Sequence, residues 1–238
     1  MCIRDSPCIR CDTFDGFPCA VNAKADAQVI CVDPTRAACP NFTLMTNAYV
    51  TRLETDAAGR SVGRVHVIRD NVSEQYSADI VVAACGALSS ALLLLRSPSD
   101  AHPKGLANGS DQVGRNYVRH NMSIVMALLK EPNHTVFQKT LAVSDFYFGA
   151  DDWEYPLGLI QMCAKSHGEQ IRGEVMNGYL SWLPEMPFEK MAEHSIDFWL
   201  QSEDLPRPEN RIGYDGDRVV LDVRAVSYTH LDVYKRQT

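Results

Sequence analysis

Three cysteines near the start, Cys8, Cys11 and Cys19, are the first residues whose type and spacing could do chemistry. Cys8-x2-Cys11 is half of a zinc-type pattern, but no second pair follows at ligand spacing. Three thiolates could hold an iron–sulfur cluster. A disulfide or plain reduced thiols fit the same residues. The second candidate is the loop Gln112-Val-Gly-Arg-Asn-Tyr-Val-Arg-His-Asn121. Gly114 permits a close backbone approach, and Asn116 and His120 could reach polar ligand atoms. A lone histidine is more often structural or solvated than catalytic. The third is the small-residue run Ala84-Cys85-Gly86-Ala87, with Ser89 and Ser90 close behind. Small side chains let a ligand approach the backbone, and a helix N-terminus offers free N–H groups.

These residues need elements to position them. Residues 80–84 (IVVAA) are short, β-branched and uncharged, which predicts a strand buried on both faces. Residues 91–95 (ALLLL) are strongly helix-forming. Strand, tight turn and helix make half of a βαβ unit, with the turn at the strand's carboxyl end, where open α/β sheets bind ligands. A packed crossover helix without a ligand reads the same way. Upstream, residues 20–29 suggest a helix. Residues 42–46, 49–55 and 62–68 suggest strands, the last two joined by a turn at Asp56–Arg60. Residues 74–77 approach the buried strand. A hairpin excursion feeding a parallel strand is the expected organisation. From Met122 the character changes. Residues 122–130, 145–148, 157–164, 195–201 and 211–223 are strand candidates, and 185–193 is a short helix. This predicts a mainly antiparallel sheet, with Trp153, Trp182 and Trp199 most simply in its core. The expected fold class is therefore α/β plus antiparallel sheet (α+β).

The two ends read differently. Residues 232–237, Asp-Val-Tyr-Lys-Arg-Gln, back-translate to GATGTGTATAAGAGACAG. Shifted by one base, the same word gives Met-Cys-Ile-Arg-Asp, residues 1–5. Its complementary strand gives Val-Ser-Tyr-Thr-His, residues 226–230. Residues 1–6 and 225–238 are thus expected to be a sequencing-adaptor remnant and stay outside the fold argument. The expected domains are 7–121 and 122–224, an internal piece of a longer protein.

Composition narrows the function. A formal charge of −7 leaves no basic footprint for nucleic acid or an anionic membrane. No apolar run is long enough to span a bilayer. Five Asn-x-Ser/Thr sequons, beginning at Asn41, Asn71, Asn108, Asn121 and Asn133, are chance matches without a sign of secretion. The cellular compartment is not legible.

Several stretches agree in content and order: DGFPCAVNAKADA, PNFTLMTNAYVTRLETDAAGR, ADIVVAACGALSSALLLLRS, QVGRNYVRHN and HSIDFWLQSEDLPRPENRI. Together they resemble the middle of a glucose–methanol–choline (GMC) oxidoreductase, in its bacterial dehydrogenase-like branch. The resemblance covers almost all of residues 8–223. It implies an FAD-binding Rossmann-like domain followed by a substrate domain built on an antiparallel sheet. It implies oxidation of a small alcohol, sugar or polyol to a carbonyl, with hydride passing to the flavin and an unidentified electron acceptor. By resemblance, the backbone of Val50 lies beside the adenine end of FAD. Ala84, Cys85 and Gly86, with Ser89 or Ser90, form the strand-end turn near the cofactor. Asn116 and His120 match a Gly-x-Asn-x-x-x-His loop close to the flavin domain, and Lys24 follows a cysteine-bearing, lid-like loop. Some relatives hold an iron–sulfur cluster near that loop, which keeps Cys8, Cys11 and Cys19 as metal candidates.

The chain also departs from the family's pattern. Ala91 stands where the second signature has Pro, and Ser97-Pro98-Ser99-Asp100 replaces its glycine run. No Gly-x-Gly-x-x-Gly follows a first strand. The resemblance puts the family's catalytic histidine beyond Arg224, so no residue here is assigned as catalytic. Two other readings stay open at this point. One is a non-catalytic redox or binding module using the cysteine cluster. The other is a flavoprotein of another class sharing the FAD fold.

Overall fold

The computed structural model describes residues 7–10, 18–135, 140–152, 156–163, 165–176, 184 and 186–224. The chain forms two compact units, each assembled from non-consecutive stretches. One takes Thr43–Arg119 and the segment from Asp204 onward. The other takes the residues up to Phe42 and His120–Glu203. This partition steps at Arg119/His120 and again at Glu203/Asp204, so it differs from a division into consecutive segments 7–121 and 122–224.

The first unit opens with a three-stranded antiparallel meander, β1 (Ala48–Thr55), β2 (Val62–Arg69) and β3 (Val72–Tyr76), in that order. Its turns follow from side-chain chemistry. The Asp56 carboxylate accepts the N–H groups of Arg60 at 2.8 Å and Ser61 at 3.3 Å, closing the β1–β2 connection. Asp70 and Asn71 both adopt positive φ, 49° and 65°. That is the geometry of a two-residue hairpin turn, which Asn and Asp tolerate better than most residues. Beyond the turn, Arg69 grips both oxygens of Glu74, at 3.0 and 2.6 Å, and the Tyr76 hydroxyl donates to the same carboxylate. These donors hold the Glu74 carboxyl below its ordinary range.

Helix α2, which follows the short helix α1 (Asp33–Ala38) in the chain, spans Gly86–Leu95. Its Leu93 meets Leu53 of β1 and Leu106 of the following loop in the core. Val50, Val62, Val65, Val81 and Leu94 pack around them. Ser97, 2% exposed, joins helix to sheet. Its Oγ accepts the Leu53 N–H at 2.9 Å and donates to Leu93 O at 2.6 Å. The loop after it is held by Asn108, also 2% exposed, which donates to Lys104 O and accepts the Val113 N–H. The hairpin β8 (Arg211–Asp215) and β9 (Arg218–Asp222) completes the unit against α2. Gly114, at φ +82°, lies against it. A Cβ there would stand 2.6 Å from Ile212 O.

The second unit is a four-stranded antiparallel sheet in the order β4 (His120–Leu128), β7 (Ser195–Glu203), β6 (Leu159–Met162), β5 (Ala142–Val143). Helices α3 (Gly168–Met176) and α4 (Met186–Glu193) pack together through Ile171, Phe188 and Ala192, with Met126 of β4 and Met191 alongside. The antiparallel sheet predicted downstream of Met122 is present, and the mixed α and β content agrees with the predicted class.

Several expectations are corrected. Residues 80–84 are not a strand, and every described ladder is antiparallel. A doubly buried strand needs paired neighbours. Among the described residues none pairs with this run, so Ile80 and Val82 stay 81% and 78% exposed while Val81 alone enters the core. Residues 42–46 are irregular, and Asn47 at φ 54° turns the chain into β1. The helix expected at 20–29 lies further on, where the Asp26 carboxylate accepts the Val29 N–H at 2.9 Å. Its first turns, Gln28–Val32, have π spacing. Pro34 follows and has no N–H to give an α-helical ladder. Residues 145–148 form turns, Tyr147 N–H to Ser144 O and Gly149 N–H to Phe146 O. The run 211–223 is a hairpin because Gly216 takes φ 56° between two acidic residues. Helix α3 was not expected at all. Trp153 and Trp182 lie outside the described residues.

Ser97→Ala leaves the buried Leu53 N–H without its partner. The expected loss is about 1–3 kcal/mol of unfolding free energy, measured by urea denaturation. Ser97→Thr keeps the hydroxyl and is expected to lose less.

Candidate cofactor-binding site

The site expected from the sequence runs from the residues before α2 into its first turn. Ala84, Cys85, Gly86 and Ala87 are all exposed. Gly86 adopts φ +80°, and a Cβ added there would meet nothing within 4 Å. The backbone of this turn therefore faces open space. Its entry is fixed by the Cys85 N–H, which donates to Ser90 Oγ at 3.1 Å. Of the two serines, Ser90 thus holds the turn together, while Ser89 is exposed on the first turns of α2.

Val50 sits on β1, opposite Val67. The strand register shifts between Val50 and Arg52, and the Thr51 hydroxyl donates to His66 O at 3.3 Å in the bulge. Bulges re-aim the backbone next to them. Val50 and Val81 pack against one core of Leu53, Leu93 and Leu106. That core sets the strand position and the approach to the Ala84–Ala87 turn in a single frame.

Asn116 lies in the same unit, exposed and at φ 56°. The chain around it is pinned to β8. Ile212 N–H donates to Gly114 O at 2.7 Å, and Tyr117 N–H donates to Asn210 O at 3.1 Å. Arg115 reaches Asp111 and donates to Pro208 O, and Arg211 reaches Asp111 as well. Both guanidiniums hold the Asp111 carboxyl below its usual range. His120 opens β4, exposed and opposite Glu203, and belongs to the other unit.

Among the described residues no three His, Cys, Asp or Glu side chains are placed to hold a metal ion. Cys11 lies outside the described residues. Cys8 is exposed. Cys19 is set differently, because its Sγ accepts the Ala23 N–H at 3.2 Å. The backbone N–H groups of Val21 and Ala23, then that of Lys24, push its thiol below the usual range. The sequence carried no sign of this nest. Nor did it mark Asp197, fully buried on β7, whose Oδ2 accepts the Ser166 N–H at 2.9 Å. Nearby Lys165 donates to Asn133 O at 2.8 Å and Glu193 O at 3.2 Å, and burial pushes its ammonium below the usual range.

An exposed small-residue turn at a helix start, on the same core as a bulged strand, has the features that a dinucleotide needs from a protein backbone. Residues 2–122 match the sequence model of the N-terminal domain of the family described as GMC oxidoreductase, and the chain belongs to that family. That domain is the family's FAD-binding domain. The chain is 33% identical over 167 residues to 6'''-hydroxyparomomycin C oxidase of Streptomyces lividus, covering 63% of this chain and 28% of the relative. It is 31% identical over 186 residues to paromamine 6'-oxidase of Streptomyces fradiae, 74% of this chain and 33% of the relative. It is 27% identical over 175 residues to the fructose dehydrogenase large subunit of Gluconobacter japonicus, 71% of this chain and 32% of that subunit. The chain therefore matches about a third of the length of these relatives. Among the described residues no helix is long and apolar enough to cross a membrane.

Iodoacetamide at neutral pH is expected to modify Cys19 before the exposed Cys31, Cys39 and Cys85, with the buried Cys163 last. The pH midpoint of the Cys19 reaction is expected below the ordinary thiol value of about 8.5. Peptide mass spectrometry over a time course reads both.

Proposed function

We propose that the complete protein is an FAD-dependent oxidoreductase acting on CH–OH groups. Its substrate is a small alcohol or sugar, as the names of the relatives indicate for those proteins. The observation that carries this reading is the family match over residues 2–122, which include the exposed Ala84–Ala87 turn and Val50. FAD, when bound, supplies the two-electron acceptor for such an oxidation. The residues of this chain supply its seat. The Val50 backbone takes the adenine end. Ala84, Cys85 and Gly86, with Ser89, form the turn that admits the cofactor without side-chain obstruction. Asn116 contributes a polar contact from the loop that follows.

In this reading residues 7–121 are part of the FAD-binding domain and residues 122–224 part of the substrate domain. The base that takes the hydroxyl proton comes from a part of the complete protein not represented among these residues. The antiparallel sheet of β4 to β7 and its two helices support the substrate-domain assignment.

The test uses the complete protein and the 238-residue chain side by side. The complete protein is expected to purify yellow, with about one flavin per chain. It should reduce a redox dye only when an alcohol or amino-sugar alcohol is added. The 238-residue chain alone is expected to bind FAD weakly and not to turn over. Gly86→Val forces a branched side chain into positive φ, at about 1–2 kcal/mol. It also fills the approach to the turn, so flavin retention in the complete protein should fall by about tenfold or more. A folded complete protein free of flavin, or full flavin content in the Gly86→Val variant, overturns the assignment.

A further inference from the structure

The unit of Thr43–Arg119 and Asp204 onward carries a concave feature, about 460 Å³ in volume. It lies at the opposite end of α2 from the Ala84–Ala87 turn, since Arg96 caps the C-terminus of a helix that begins at Gly86. Tyr49, Thr51, Arg96, Tyr214 and Asp217 line it. The volume is within the range of small-molecule sites, about 300–1,000 Å³.

Its chemistry is specific. Arg96 donates to the Tyr49 hydroxyl at 3.0 Å and to Gly216 O at 3.4 Å. Its guanidinium stacks 5.1 Å from the centre of the Tyr214 ring. Arg96 is therefore fixed in place while some of its five N–H groups remain available. Tyr49 and Tyr214 are 59% and 44% exposed. Asp217 makes no ion pair among the described residues. The charges of Arg96 and Asp217 cancel, so the cleft does not select a charged ligand. It offers two flat aromatic surfaces, and around them a guanidinium, a carboxylate, a threonine hydroxyl and a phenol. A molecule that matches must present a flat apolar face and a rim of neutral hydroxyls, each able to donate and accept.

We propose that this cleft is an accessory carbohydrate-binding site, which takes a neutral pyranose ring away from the cofactor seat. The ring's C–H face packs on Tyr49 or Tyr214. Its hydroxyls donate to Asp217 and accept from Arg96. The proposal does not depend on the oxidoreductase reading, because none of these residues belongs to that seat.

Saturation-transfer NMR on the 238-residue chain with methyl β-D-glucopyranoside tests it, with inorganic phosphate as the competing anion. Ring protons are expected to receive saturation from the protein at millimolar ligand, and phosphate is expected not to displace the sugar. Asp217→Asn, at an exposed hairpin tip, and Tyr49→Ala are each expected to weaken binding about tenfold or more, the loss of one charge-assisted hydrogen bond or one ring contact. Thermal unfolding of both variants checks that they remain folded. No transfer to the folded wild type overturns the proposal. Transfer undiminished in both folded variants also overturns it, because the sugar then sits elsewhere. Phosphate that displaces the sugar makes the cleft an anion site and overturns it too.

Discussion

One buried hydroxyl ties the sheet of the first unit to its helix. Ser97 satisfies the Leu53 N–H from β1 and the Leu93 carbonyl from α2 at a position almost sealed from water. Strand β1 is an edge of the meander, with a neighbouring strand on one side only. The buried Leu53 N–H finds its acceptor in a residue forty-four positions away. Leu53 and Leu93 then meet in the core, and Val50 and Val81 lean on them. The distance between strand and turn is thus set by a short polar bridge and a few leucines. The proposed cofactor seat would depend on this stiffness, since no side chain at Ala84–Ala87 is large enough to correct a misplaced frame.

Local chemistry made much of this legible. The meander was readable because its turns carry Asp-Ala-Ala-Gly and Arg-Asp-Asn, which hold positive φ or accept backbone N–H groups. A helix over residues 91–95 was readable from its alanine and leucines, and it begins earlier than that reading, at Gly86. The family was readable from the order of five modest motifs, and the match over residues 2–122 agrees with it. Residues 80–84 were misread because a β-branched run states that a strand is possible, not that a neighbour is present to pair with it. The exposed Ile80 and Val82 show what such a run does without a partner among the described residues. Helix α3 escaped because it starts at Gly168, whose missing side chain is needed where Glu189 approaches it. Packing between helices decided that position, and no local propensity records it.

The second unit solves a different problem. Strand β7 alternates, with Ile196, Phe198 and Leu200 on one face and Ser195, Asp197, Trp199 and Gln201 on the other. Hydrophobic pattern alone would turn the aliphatic face inward, yet the fully buried residues are Ser195 and Asp197. The choice is made by Asp197. It is directly opposite Met126, on the side where α3 and α4 pack, and its carboxylate takes the Ser166 N–H there while its own carbonyl takes the Cys163 N–H. A slip of one residue would carry the buried carboxylate to the opposite face, away from Ser166, and put Ile196 or Phe198 in its place. Ser195 strengthens the same choice through its bond to Ala192 O and the Asn133 amide that reaches its carbonyl. Burying a carboxylate costs more than burying a leucine, but a leucine at that position would accept either register. The polar residue therefore selects the alignment, and the apolar residues around it stabilise whichever alignment has been selected.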